Sequence, residues 1–122
     1  MGNRVTKFEV CSIEVKKACP IETTLSILKG KWKGIIISIL SEQAVRFNEL
    51  KRLIPGITQR ILTLQLKELE EDGIVNRDVE YTVPRKVEYS LTEQGKALFP
   101  VIEGMRNWGT RYLDSNIDLD LN

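Results

Sequence analysis

With 122 residues, 42% of them apolar, the chain suits one domain with a compact core. Two cysteines and no histidine exclude a disulfide framework and remove the commonest zinc ligand and general base, so neither an enzyme nor a metal or other cofactor is expected. No run reaches the ~18 apolar residues of a membrane span, and Met1 to Val10 carries Arg4, Lys7 and Glu9 where a secretory signal is apolar; the expected setting is cytoplasmic, without a membrane partner.

The formal net charge of +1 conceals a segregation. Lys29 to Lys67 holds eight basic residues against Glu42 and Glu49, whereas Glu68 to Glu80 holds six acidic residues against Arg77. A solvated surface and a nucleic-acid footprint both fit such a basic island, and the order of the elements favours the second.

Residues 1–18 show weak alternation and read as an amino-terminal arm. Cys19-Pro20-Ile21-Glu22 reads as a helix start with Cys19 as N-cap, because proline suits the first helical position and glutamate the first turn. That helix carries Ile21, Leu25 and Leu28 and stops near Gly30. A second runs from about Trp32 through Ile35, Ile36, Ile39 and Leu40, and the two are expected to form a packed pair with Trp32 as a core anchor. Val45-Arg46-Phe47 is long enough only for an edge strand, and Asn48 is a good N-cap for a short helix bearing Leu50, Leu53 and Ile54. Pro55-Gly56 ends it. Thr58 then caps a helix to Asp72, closed by Gly73. Ile74 to Val79 and Val87 to Leu91 alternate with period two and form a hairpin, Val75 and Val79 answering Val87, Tyr89 and Leu91 across a loop containing Pro84. Thr92-Glu93 starts a last helix, interrupted or restarted at Pro100, on which Leu98, Val101, Ile102, Met105, Trp108 and Tyr112 share a face. This stripe can fold back on its own domain or meet a second copy; the other elements already supply a core, so a dimer interface is the reading taken.

At about 100 degrees per residue from Thr58, the side chains of Ile61, Leu62, Leu66 and Leu69 cluster inward and those of Gln59, Arg60, Thr63, Leu64 and Lys67 outward. Gln pairs with adenine, Arg with guanine, Thr with a base or phosphate, and Leu meets a thymine methyl. Tyr81 to Lys86 sets Arg85 and Lys86 at a hairpin tip, Arg85 being suited to a narrow minor groove. Lys29, Lys31, Lys33, Lys51 and Arg52 have the chemistry of phosphate contacts. The fold class is α+β, mainly α: a winged helix-turn-helix with terminal dimerisation helices.

Cys19-Pro20, Gly30-Lys31-Trp32, Arg46-Phe47-Asn48-Glu49-Leu50, Ile57 to Leu62, Leu66 to Gly73 and Tyr89-Ser90-Leu91-Thr92 stand in an order that resembles the HxlR-type regulators, from Cys19 to about Tyr112. The resemblance implies a bacterial or archaeal dimeric transcription factor related to the MarR type, with double-stranded DNA and a second copy as partners. It places the recognition helix at Thr58 to Asp72, the wing around Arg85 and the dimer surface on the terminal helices. The domain is then residues 19–113, with a dimerisation helix at about 98–113 and an acidic tail at 114–122. Some members sense electrophiles or oxidants through the cysteine matching Cys19, so an electrophile or other small-molecule effector belongs among the implied partners. The helix dipole at Cys19, with Lys16 and Lys17 near, favours a thiolate, while Glu22 opposes it. A buried structural thiol fits Cys19 equally, and Cys11 is the candidate resolving partner. The competing function class is a winged helix that docks a protein, for which Leu64 on the outer face is the best sign.

Overall fold

The computed structural model describes residues 19–121, with side chains to residue 116. The expected arm at residues 1–18, and Cys11 within it, lie outside the described residues. The chain divides into two units, one ending at Lys31 and one beginning at Trp32.

In the first unit, Cys19 is the extended N-cap residue of helix α1 (Pro20–Ile27), and its carbonyl accepts the Thr23 N–H at 2.8 Å. Its side chain makes no cap hydrogen bond. The spacing of Ile21 and Leu25 predicts a buried face; instead they are 62% and 59% exposed, and no residue of the helix is buried. Two turns offer too short a stripe to cover, and burial falls on the flanking Cys19 and Leu28.

The second unit runs through α2 (Lys33–Leu40), β1 (Val45–Arg46), α3 (Phe47–Leu53), α4 (Gln59–Glu71), β2 (Val75–Glu80), β3 (Lys86–Leu91) and α5 (Glu93–Leu121). The three strands form an antiparallel sheet in the order β1-β3-β2. Val75 pairs with Leu91, Arg77 with Tyr89 and Val79 with Val87, so the alternation read from the sequence is the register of the hairpin. The core is made by Ile36, Ile37 and Leu40 of α2, Leu50 of α3, Leu62, Leu66 and Leu69 of α4, and Val75 and Leu91 of the sheet. Burying a side chain of this size contributes about 1.5–3 kcal/mol.

Two expectations fail for identifiable reasons. Asn48 does not cap α3: the helix begins one residue earlier, at Phe47, with Arg46 as the N-cap residue. Pairing of Val45 with Tyr89 and Arg46 with Glu88 holds this backbone extended until the helix starts, leaving no room for a linker. Pro100 does not interrupt the last helix, which is continuous from Glu93 through the expected acidic tail to Leu121. Proline removes the hydrogen bond to the Lys96 carbonyl. Both residues are exposed, so water can satisfy that carbonyl, while buried Ile102 and half-buried Leu98 hold the segments on either side.

Candidate nucleic-acid interface

Helix α4 starts because Thr58, extended at φ −90° and ψ 161°, accepts the Ile61 N–H on its hydroxyl at 3.1 Å. The preceding turn closes through Gly56, whose φ of 84° a side chain would resist. At the far end Gly73 takes φ 77°, its N–H reaching the Glu70 carbonyl at 3.0 Å while the Ile74 N–H reaches Leu69 at 2.9 Å. This pair of bonds is the Schellman arrangement, and it turns the chain directly into β2.

The inward face of α4 is shut into the core, Leu62, Leu66 and Leu69 being no more than 1% exposed. Gln59, Arg60, Thr63, Leu64 and Lys67 are all exposed on the opposite face. Thr63 donates its hydroxyl to the Gln59 carbonyl at 2.8 Å, which leaves its oxygen as an acceptor. Gln65, which the helical projection turns toward the core, is half-buried.

At the hairpin tip the Arg85 guanidinium lies over the Tyr81 ring, 5.3 Å from its centroid. Such a contact at an exposed site contributes about 0.5–1 kcal/mol and holds the cation outward. Between this tip, the start of α3 and Thr63 of α4 lies an open groove of about 690 Å³. Its walls carry Arg46, Asn48, Thr63, Arg77, Arg85 and Lys86. Phe47 and Tyr89, with ring centroids 6.5 Å apart, form its apolar side. Arg46 and Arg77 stand on these walls without being among the expected contacts. The sign available for Arg77 was its place between Val75 and Val79, at the inward phase of an alternating strand.

The remaining expected contacts divide. Lys51 and Arg52 are exposed on α3, Arg52 pairing with Glu49; Lys29 and Lys31 are exposed in the first unit. Lys33 is not a phosphate contact: it is 1% exposed and its Nζ donates to Glu68 Oε1 at 2.5 Å. It joins α2 to α4 inside the unit. Sequence shows charge but not depth, and half a turn along an amphipathic helix exchanges solvent for core.

The expected stripe on α5 divides too. Val101, Met105, Trp108 and Tyr112 are between 43% and 59% exposed, and Trp108 stacks on Tyr112 with centroids 5.0 Å apart. Ile102, at 6% exposure, belongs instead to the core of its own chain. Arg106 donates to the Ser38 hydroxyl of α2 on the same inward side. Among the described residues no acidic or cysteine cluster is arranged to hold a metal, and no helix is long and apolar enough to cross a membrane.

A helix-turn-helix made by α3 and α4, followed by a two-stranded wing, defines a winged helix-turn-helix regulator. The chain belongs to the HxlR-like helix-turn-helix family, whose profile matches residues 27–117. It is 57% identical over 114 residues to the HTH-type transcriptional regulator YdeP of Bacillus subtilis, covering 93% of this chain and 88% of that one. To YybR of the same organism, also an HTH-type transcriptional regulator, it is 53% identical over 104 residues, covering 85% and 80%. Among solved structures it is similar to the redox regulator HypR in its reduced form, with TM-score 0.77 and 52% identity over 81% of this chain and 98% of that one. Reduced YodB of Bacillus subtilis superposes with TM-score 0.69 at 42% identity, covering 78% and 95%.

Proposed function

We propose that this regulator binds double-stranded DNA sequence-specifically in the cytoplasm, as a homodimer on a pseudo-palindromic operator. The observation that carries the reading is the exposed face of α4, where Gln59, Arg60, Thr63, Leu64 and Lys67 stand together beside a wing bearing Arg85 and Lys86. The helix enters the major groove, the wing reaches an adjacent minor groove, and Lys51 and Arg52 set the register on phosphates. Exposed Val101, Met105, Trp108 and Tyr112 supply the self-complementary apolar surface of the dimer.

Selection of bound sites from random DNA tests the recognition helix and the dimer together. Two related half-sites centred about 34 Å apart, or a multiple, are expected. Arg60→Ala should weaken the selected site by about 1–3 kcal/mol and relax one base position in it. Unchanged specific affinity in a band-shift titration would remove Arg60 from base reading. Leu64, 50% exposed, also suits a protein-docking surface, and failure to retain mixed DNA at low salt would favour that reading.

Thiol control through Cys19 belongs to the same proposal. HypR has been solved in reduced and oxidised forms, and YodB in reduced and diamide-treated forms. Cys19 is 2% exposed at the start of α1, so oxidation places a polar or bridged sulfur where packing now excludes water. Diamide is expected to shift operator affinity in the wild type and to leave Cys19→Ser unaffected. A mutant that still responds would clear Cys19 of the role.

A further inference from the structure

The groove between α4 and the wing contains an arginine in a register position that the fold otherwise fills with apolar residues. On β2, the residues whose partners are Leu91, Tyr89 and Val87 are Val75, Arg77 and Val79. Residues directly opposite in an antiparallel pair lie on one face, so Arg77 shares the helix-facing side with these apolar neighbours. A strand evolving only to cover α4 has no use for a cation there, yet Arg77 is exposed and lines the groove beside Thr63 and Tyr89. Among the described residues no ion pair neutralises Arg77, nor Arg46, Arg85 and Lys86 on the same walls. Glu49, the one carboxylate on those walls, is engaged by Arg52. The groove is therefore cationic and open to solvent, with Phe47 and Tyr89 on its apolar side.

We infer that this groove seats a phosphodiester group of the DNA backbone, with Arg77 as its principal ligand and Arg46 at its rim. The inference rests on the DNA-binding reading above. An arginine fork matches a phosphate with two parallel hydrogen bonds, and its position between α4 and the wing would fix how deeply the helix enters the groove it reads.

Binding of Arg77→Gln to the selected operator and to mixed DNA, measured from 50 to 200 mM salt, tests the site. Operator and mixed affinity should both fall by a similar factor, and the salt slope should become shallower by about one. The fourfold rise in salt then costs the variant roughly threefold to fourfold less affinity than it costs wild type. Arg77→Lys, which keeps the charge, should retain the wild-type slope. A circular dichroism melt matching wild type confirms that each variant is folded. A slope unchanged in Arg77→Gln overturns the inference, as does a loss confined to one base position. If inorganic phosphate at millimolar concentration protects Arg77 from a guanidine-modifying reagent while operator DNA does not, the groove holds a small anion and the inference also falls. Wild type showing no salt-dependent retention on any DNA sinks the DNA-binding reading itself, which is distinct from a wild type that binds while Arg77→Gln binds alike.

Discussion

Glu68→Ala is expected to destabilise the fold by roughly 3 kcal/mol, the low end of the cost of stripping one partner from a buried ion pair. Lys33 keeps only 1% of its side chain exposed, and its ammonium sits 2.5 Å from the Glu68 carboxylate. Without that carboxylate a buried cation loses its charge partner. Glu68 is itself 35% exposed, which lets water reach the gap and keeps the cost from the top of the range. For a domain of this size the loss corresponds to a drop of the thermal midpoint on the order of 10 °C, readable by calorimetry. Adding Lys33→Met should recover much of it, because an apolar side chain of similar length fills the site without a charge to solvate. A double variant no more stable than Glu68→Ala would show that packing around α2, and not the unpaired charge, sets the cost. The pair holds α2 to the helix that presents Gln59 and Arg60, so operator affinity should fall as the thermal midpoint does.

Gly95→Ala should also destabilise, by about 2 kcal/mol, although alanine is the better helix former by about 1 kcal/mol. A Cβ at residue 95 would stand 2.3 Å from the Ile74 carbonyl oxygen and 3.1 Å from a Leu91 methyl carbon. That carbonyl has little freedom to retreat. It accepts the Thr92 N–H at 3.0 Å, and the Thr92 hydroxyl lies 3.1 Å from it and 2.6 Å from the Gly73 carbonyl. Thr92 in turn caps α5, its hydroxyl accepting the Gly95 N–H at 3.0 Å. The end of α4, the hairpin and the start of α5 are thus tied at one corner, and a methyl group there forces them apart. Denaturant unfolding reads the change directly; a midpoint equal to wild type would mean that the corner yields at no cost.

Much of α4 and of its outward face was legible in the residues. Thr58 as cap, Gly73 as stop and the leucines between them specify α4 by local chemistry, and the outward side chains follow from the helical period. The hairpin register was legible for the same kind of reason, since period-two alternation admits one inward face. What escaped were residues whose neighbours come from elsewhere in the chain. Lys33 belongs to a basic island in sequence but faces Glu68, 35 residues on, and only packing of α2 against α4 shows it. Ile102 sits in an apolar stripe, and which members of that stripe turn inward depends on where α5 crosses α2. Pro100 reads as a helix breaker, yet flanking burial and an exposed turn let the helix continue.

The sequence by itself determined the class of the molecule, because periodicity, caps and turn residues act over a few residues and their order specifies a winged helix-turn-helix. Tertiary structure alone decided which cations stand exposed and which are buried. Charge is a property of a residue, whereas exposure belongs to the fold around it: packing buries Lys33 against Glu68 and leaves Arg77, set in an apolar register, open in the groove beside α4.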